Sequence, residues 1–453
     1  MTQYEPHDGL AELWAMLPPI EEPARATTPI ETEDPRAPKR RRWRRRPIAI
    51  LAIVVVLAIV GSYASLTLTG PVAAAAAAFH RPDVERPNPA TIMLPLVGES
   101  AVSISGADDY LGPTADGIFA SSGGNGALPM ASISKLVTAM VVLNARPLGA
   151  TGTGRTITWS KADSALYDKY FVLNATIAAM KNGSSMSEHD ALETMLVVSA
   201  CNYAEAMAVW AFGSKAGFVS GTKRWLTAHD LTGTTMVEPT GLDDRNTSTP
   251  SDLIAIGKLA MADPAIAAMV AKTSLDVPAL AGMPSTNDLL GTDGVNGVKT
   301  GTLDSDGSDL LFSAVVPVST STTLNVIGVV LGGQTRGSVD SDVRKLIASI
   351  KSGFHDEQLG TQGQVVGSYS TPWGAKASMV LAKSASVFTW SNTPISSTMT
   401  TTTLKTGANG EKVGSVTWVA GKTTVTVPIL LKGSIRGPSA WWRLTHPAQL
   451  LGK

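Results

Sequence analysis

The sequence has few of the residues on which many protein classes depend. It has a single cysteine among 453 residues, so no disulfide can form within the chain, even in an oxidising compartment. Its 37 basic and 37 acidic residues balance, which gives no reason to expect nucleic acid as a partner. The six histidines are scattered, with no pair at metal-ligand spacing, and we expect neither a metal nor another cofactor.

One long apolar run stands near the N-terminus. Residues 48–68 carry no charge and as a helix would span about 31 Å, close to the thickness of a bilayer core. A dense run of Lys and Arg, residues 36–46, precedes it. Such a run stays in the cytoplasm, so we expect a single-pass cell-membrane protein whose later residues lie outside. The alternative is a cleaved signal peptide, helped by small residues over 72–78, although its basic leader would be unusually long.

Composition divides the chain into five parts. The length leaves room for two or three folded domains. The pattern after residue 94 mixes strands and apolar helices, which favours an α+β fold or a sheet flanked by helices. The last hundred or so residues alternate Thr, Val and Ser, as in a small all-β domain. We expect a disordered cytoplasmic tail (1–46), a transmembrane helix (47–69), a linker (70–93), the α+β domain (94–355) and the β domain (358–453).

The first candidate for chemistry is an S-x-x-K pair. Residues 128–143 predict a buried helix, and Ser132 and Lys135 lie on one face of it. A serine hydroxyl becomes a nucleophile once a base removes its proton, and a lysine whose pKa is lowered by burial can serve. A second pair, Ser220 and Lys223, has the same spacing. The alternative for either pair is a capping serine and a surface lysine.

The second candidate is the run Val298–Thr302 at the end of a predicted strand. Lys299 and Thr300 together offer a positive charge and a hydroxyl donor, which suit a substrate carboxylate, and Gly301 lets a ligand backbone approach closely. A similar Lys-Thr-Gly run at 405–407 is followed by Ala-Asn-Gly. We interpret that second run as a surface hairpin turn.

The third candidate lies in the apolar pattern 190–212, which predicts a helix. Ser199 could relay a proton there, and the neighbouring residues Cys201 and Asn202 could contact a substrate. The alternative is structural: Ser199 bonds within a loop and Asn202 caps the next helix.

Together these motifs resemble a known family. S-x-x-K, a central serine element and K-T-G, in this order, are typical of penicillin-binding proteins and serine β-lactamases. The sequence is most similar to the low-molecular-mass serine D-alanyl-D-alanine carboxypeptidases, from about residue 95 to 435. The order also selects Ser132 over Ser220, which follows the central element. The matching stretches are 130–135, 238–243, 249–253, 286–290 and 297–301, with 410–414 and 427–430 in the family's β-rich second domain.

The resemblance implies a fold, an activity and residue roles. The fold would be a penicillin-binding/serine β-lactamase-like domain plus the β domain. The enzyme would hydrolyse the terminal D-Ala from peptidoglycan stem peptides through an acyl-enzyme, without a cofactor, and β-lactams would inhibit it covalently. The implied catalytic residues are Ser132 as nucleophile, Lys135 as base and Ser199 as proton relay; the implied substrate-binding residues are Cys201, Asn202, Lys299, Thr300, Gly301 and Thr302, with backbone N–H groups of Ser132 and Thr302 as the oxyanion hole.

The central element departs from the family pattern. The family usually has asparagine at the third place, where this chain has Cys201, and Asn202 follows one step later. A helical step turns by about 100°, so Asn202 would need a local bulge to reach the cleft. Which of the two faces the cleft stays open. The rival functions are a D,D-endopeptidase or β-lactamase on the same residues, or an inactive homologue that only binds cell-wall peptide.

Overall fold

The computed structural model describes residues 45–85, 87–303 and 307–450. The expected cytoplasmic tail lies outside these ranges except for its last two residues. The chain forms two compact units: one contains the N-terminal helix and residues 440–450, and the other contains residues 72–439.

The described helices are numbered in chain order. They are α1 (Arg45–Thr69), α2 (Asp108–Leu111), α3 (Ser134–Ala145), α4 (Lys161–Phe171), α5 (Glu188–Val197), α6 (Cys201–Phe212), α7 (Lys215–Ala228), α8 (Pro250–Ala262), α9 (Pro264–Val270), α10 (Arg336–Ser352), α11 (Ala440–Thr445) and α12 (Pro447–Leu450). Short 3-10 turns form at Pro113–Asp116 and Ala131–Ile133.

The described strands follow the same convention. They are β1 (Ala76–Phe79), β2 (Glu99–Ser105), β3 (Ala120–Ser122), β4 (Leu128–Pro129), β5 (Thr156–Thr158), β6 (Ser185–Ser187), β7 (Thr247–Ser248), β8 (Val295–Leu303), β9 (Gly307–Pro317), β10 (Thr323–Gly333), β11 (Phe354–Gly360), β12 (Val365–Ser370), β13 (Lys376–Leu381), β14 (Ala385–Trp390), β15 (Ile395–Thr401), β16 (Lys412–Ala420) and β17 (Thr423–Lys432).

An antiparallel five-stranded sheet organises the larger domain, in the order β3-β2-β10-β9-β8. Helices cover both faces because both faces are apolar. One face packs with α3, α5, α6 and α8 in the main core, and the other packs with α10 in a second core. This confirms the expected α+β fold with a sheet flanked by helices. β8, which carries the K-T-G run, is an edge strand of the sheet.

The helix expected over residues 190–212 is two helices. α5 ends at Val197 and α6 begins at Cys201. Between them Ser199 has a φ of +67°, a left-handed conformation that an α-helix cannot contain. An apolar pattern alone does not report such a break, because the residues on either side of it remain buried.

The C-terminal β region forms a second, six-stranded sheet, in the order β1-β12-β13-β17-β16-β15. Its first strand comes from Ala76–Phe79, which pairs with β12. This differs from the expected linker over 70–93. The alanine run lacks the long apolar side chains that would mark a strand, yet its backbone completes the edge of the sheet, and Ala75 N–H also donates to Leu404 O at 2.7 Å.

A loop over residues 231–246 is fixed by one buried amide. Asn246 is fully buried, and its Oδ1 accepts the Val237 N–H at 2.7 Å. Its Nδ2 donates to Glu238 O at 2.9 Å and to Ser134 Oγ, on α3, at 3.2 Å. The Asn246 carbonyl in turn accepts the Met130 N–H at 3.0 Å. One side chain therefore joins this loop to the start of α3.

Replacing this amide should destabilise the domain. Asn246→Ala leaves buried donors and acceptors without partners, each worth about 1–3 kcal/mol, so we expect the thermal unfolding midpoint of the purified chain to fall by several degrees. The control is Asn392→Ala, since Asn392 is exposed and its loss should change stability by less than about 0.5 kcal/mol. Equal midpoints for the two variants would show that Asn246 does not fix the loop.

Candidate active site

Ser132 and Lys135 meet at the start of α3. Ser132 is half-buried in the 3-10 turn Ala131–Ile133, directly ahead of the helix. Lys135 lies in the first helical turn and is fully buried. Its Nζ atom is 2.8 Å from Ser132 Oγ. The spacing of three residues therefore gives the contact that proton transfer from a serine hydroxyl requires.

A backbone carbonyl is the second partner of the Lys135 amine. Nζ donates to Thr240 O at 2.7 Å. That carbonyl is held by its own loop, because the Thr240 N–H and hydroxyl both donate to the Glu238 carboxylate at 2.7 Å. The Gly241 N–H donates to the same carboxylate. Glu238 is thus occupied as a hydrogen-bond acceptor within the loop, and the loop fixes the position of the lysine amine.

The backbone around Ser132 is approached closely from two sides. Ala131 has a left-handed φ of +44°. A Cβ atom at Gly241, whose φ is +82°, would lie 1.8 Å from Ala131 O and 3.0 Å from Ser132 N. On the other side, a Cβ atom at Gly301 would lie 2.9 Å from Ala131 Cβ. These approaches leave no room for any other residue type at Gly241 and bring β8 against the turn that contains Ser132.

The K-T-G residues line the same cleft from β8. Lys299 is 1% exposed, and its Nζ donates to Thr300 O at 3.2 Å. Thr300 Oγ1 lies 2.6 Å from Thr286 Oγ1. Gly301 is buried and Thr302 is exposed, with its hydroxyl donating to Gly301 O at 2.7 Å. The strand therefore presents a buried amine, a hydroxyl pair and its own backbone next to Ser132.

Arg336 is a further cation at this site that the sequence did not single out. It is exposed at the first turn of α10 and lies near enough to act on Lys299. Burial, with the charges of Lys135 and Arg336, holds the pKa of Lys299 well below its ordinary value. The arrangement brings three basic side chains from distant parts of the chain to one cleft, which suits an anionic ligand. The sequence signal that could have identified Arg336 is a basic residue just after the apolar run of β10.

In the central element Ser199 and Cys201 are buried, and the Asn202 amide is bound by a neighbouring segment. Ser199 is 4% exposed and Cys201 is 2% exposed, and Cys201 is close enough to Lys299 to influence its charge. Asn202 is fully buried. Its Oδ1 accepts the Ala178 N–H at 3.2 Å, and its Nδ2 donates to Ala178 O at 2.8 Å. Both ends of the Asn202 amide are thus engaged by the neighbouring segment.

Tyr170 and Glu205 form a second buried group that the sequence analysis missed. The Tyr170 hydroxyl donates to the Glu205 carboxylate, and the Lys169 amine donates to it at 2.5 Å. Burial and the adjacent Glu205 raise the pKa of Tyr170, so its hydroxyl stays protonated. Burial opposes ionisation of Glu205, but the hydrogen bonds from Lys169 and Tyr170 outweigh it and lower its pKa. The group ties α4 to α6 and is not a source of a general base.

The remaining candidates lie apart from this cleft. Ser220 and Lys223 are exposed on α7. Lys405 is exposed, and Gly407 pairs with Ile435 in an isolated bridge. Within the described residues, no group of three or more His, Cys, Asp or Glu side chains is arranged to hold a metal ion.

Comparisons with known proteins agree with this geometry. The family model described as D-alanyl-D-alanine carboxypeptidase matches residues 114–335. The fold resembles penicillin binding protein 5 from Haemophilus influenzae, at 18% identity and a TM-score of 0.51, over 77% of this chain and 99% of that one. It also resembles penicillin binding protein 6B from Escherichia coli, at 19% identity and a TM-score of 0.51, over 77% of this chain and 99% of that one. No curated protein matches the sequence.

The family match spans all three motifs, from ahead of Ser132 to beyond Lys299. The two structural neighbours share the fold at low identity, and both are penicillin-binding proteins. Residues 114–335 therefore match the D-alanyl-D-alanine carboxypeptidase family of serine peptidases, and the fold is similar to that of low-molecular-mass penicillin-binding proteins.

Proposed function

We propose that this enzyme removes the terminal D-Ala from peptidoglycan stem peptides through an acyl-enzyme on Ser132. The observation that carries the proposal is the contact of a fully buried Lys135 amine with Ser132 Oγ at 2.8 Å. At this distance the amine is in position to take the proton of the hydroxyl, which makes the serine a nucleophile.

The first half-reaction forms the acyl-enzyme. Lys135 takes the proton of the Ser132 hydroxyl, and Oγ attacks the carbonyl carbon of the penultimate D-Ala. The backbone N–H groups of Ser132 and Thr302 stabilise the oxyanion, a type of contact worth about 3–4 kcal/mol. The peptide C–N bond breaks, the Lys135 proton reaches the leaving amine through Ser199, and free D-Ala departs. Water then attacks the Ser132 ester by the reverse proton route, releasing the shortened peptide.

The terminal carboxylate of the substrate would bind the basic end of the cleft. Lys299 and Arg336 supply charge, and the Thr300 hydroxyl supplies a directional donor. The substrate backbone would extend along β8, an edge strand whose unpaired side can accept a further strand. A β-lactam carries a carboxylate and a strained amide at similar separation, so we expect it to acylate Ser132 and inhibit the enzyme.

The catalytic domain would lie outside the cytoplasm, held by α1. Residues Pro47–Thr69 form an apolar helix with a mean hydropathy of 2.6, and a basic run precedes it. A helix of this length spans about 35 Å, enough for a bilayer core. The basic run favours a cytoplasmic N-terminus, which leaves the domain on the side where peptidoglycan is found.

The nucleophile can be tested by covalent labelling. Ser132→Ala should abolish labelling by a fluorescent penicillin, because among the described residues the Ser132 hydroxyl is the one that contacts the Lys135 amine. Ser220→Ala removes a serine with the same spacing to a lysine on the exposed face of α7 and should leave labelling unchanged. The measurement is in-gel fluorescence of the purified chain. Labelling that survives Ser132→Ala would contradict the assignment.

The lowered pKa of Lys299 predicts a pH dependence of substrate binding. As pH rises through that lowered pKa, Lys299 loses its charge, so KM for a D-Ala-D-Ala peptide should rise while kcat changes less. Arg336→Gln removes a charge that depresses the pKa of Lys299 and should move this rise to higher pH. The check is a pH series of kcat and KM for both proteins. A rise at the same pH in both would contradict the role of these charges.

The central element predicts unequal effects at neighbouring positions. A thiol is a weak hydrogen-bond donor and acceptor, so Cys201→Asn should strengthen contact with a substrate carbonyl and raise peptide turnover by up to about tenfold. Asn202→Ala removes the two bonds to Ala178 and should lower the unfolding midpoint instead. Turnover and thermal unfolding of both variants provide the check. Unchanged turnover in Cys201→Asn would show that Cys201 does not contact substrate.

A further inference from the structure

The C-terminal residues of the first unit contact the end of α1 through one arginine. Arg443, in α11, directs Nη1 at the last carbonyls of α1 and the residue after it. The distances are 3.4 Å to Thr67 O, 3.1 Å to Leu68 O and 2.9 Å to Gly70 O. The last four carbonyls of a helix have no partner within that helix, and α1 has no basic residue in its last turn. Arg443 supplies the missing donor.

The contact is reciprocal. The Tyr63 hydroxyl, on α1, donates at 2.6 Å to Leu444 O, one of the last carbonyls of α11. Each helix thus provides a side chain that satisfies carbonyls at the end of the other. Charged hydrogen bonds of this kind are stronger where water is scarce, as at the edge of a bilayer.

The same segment has the composition of a membrane interface. Trp441 is 75% exposed, and the Trp442 ring stacks on His446 with centroids 4.9 Å apart. Tryptophan and tyrosine favour the headgroup region because their rings are apolar and each carries a polar group. Tyr63 stands near the outer end of α1, at the level where such residues collect. A lipid interface is the environment that suits the exposed Trp441 ring.

We propose that residues 440–450 dock on the outer end of α1 and form a second membrane contact in the headgroup layer, with Arg443 as the pivot. The segment that covers the end of α1 is therefore part of the same chain. The chain leaves the anchor at Pro71 and returns to it at Ala440, so the domain between them is tethered at both of its ends. The proposal rests on the proposed role of α1 as a retained anchor, but not on the proposed reaction.

Docking can be tested by photocrosslinking in the full chain. The protein carries p-benzoylphenylalanine in place of Tyr63 and is reconstituted in vesicles of phosphatidylethanolamine and phosphatidylglycerol. Illumination should join position 63 to the tryptic peptide that contains Leu444, which begins after Arg443 in the parent and after Arg436 in Arg443→Ala. Arg443→Ala should lower the yield at least roughly threefold, because it removes charge-assisted bonds, and Arg443→Lys should give an intermediate value. The matched control is Arg436→Ala, which removes an arginine upstream of α11 and should leave the yield unchanged.

Contact with lipid is tested at Trp441. Trp441→Cys is labelled with the fluorophore NBD, and Cys201, being 2% exposed, should remain unlabelled. Nitroxide on the shallow acyl carbons of the lipid should quench this label, and the further change Arg443→Ala should reduce quenching. Absence of the cross-link, or a cross-link yield that Arg443→Ala does not change, would overturn the docking. Absent quenching would overturn the membrane contact.

Two further readouts separate this proposal from those on which it stands. The intact mass of the reconstituted protein shows whether α1 is retained, and a mature N-terminus within residues 72–78 would overturn both the anchor and the docking. Penicillin labelling of every variant reports the catalytic domain. Labelling that persists in Arg443→Ala while the cross-link is lost supports docking and shows that the domain remains folded.

Discussion

The site depends on the confinement of one amine. Lys135 Nζ is fully buried and lies between Ser132 Oγ, at 2.8 Å, and Thr240 O, at 2.7 Å. A buried polar group without hydrogen-bond partners costs about 1–3 kcal/mol, so the surrounding protein must hold both partners in place. The loop that presents Thr240 is therefore tied to the Glu238 carboxylate and, through Asn246, to α3 itself. The contact between Ser132 and Lys135 therefore depends on the fold of this loop.

The confinement of Lys135 also explains why backbone segments approach one another closely around Ser132 and why some residues there have irregular conformations. Ala131, next to Ser132, and Ser199, in the turn between α5 and α6, both have left-handed φ values. Non-glycine residues adopt this conformation at a cost of about 1–2 kcal/mol, and they persist there because the packing around them allows no alternative. Gly241 and Gly301 complete the arrangement by letting two other segments approach the Ser132 turn within contact distance. Holding the backbone in these positions thus costs several kcal/mol of folding free energy.

The sequence predicts those features that are local or periodic. The apolar run after Ser132 predicts α3, short apolar runs predict strands within β8, β9 and β10, and the order of the motifs distinguishes Ser132 from Ser220. Other features depend on contacts between distant residues, which no local pattern reports. Arg336 comes near Lys299 only because the fold brings the start of α10 to it, and Asn202 is occupied only because the segment at Ala178 packs against α6. The alanine run at 76–79 becomes a strand because β12 offers an unpaired edge.

Charge at the cleft links this architecture to the choice of substrate. Lys135, Lys299 and Arg336 lie close enough for their charges to oppose one another, which contributes to the lowered pKa of Lys299. An incoming carboxylate relieves this repulsion, so a peptide that ends in a free carboxylate gains an interaction that an internal peptide bond lacks. Because Lys299 is buried, the gain is larger than it would be in water. The electrostatics of the cleft therefore favour hydrolysis at a free C-terminus over cleavage within a cross-bridge, and so favour a carboxypeptidase over an endopeptidase.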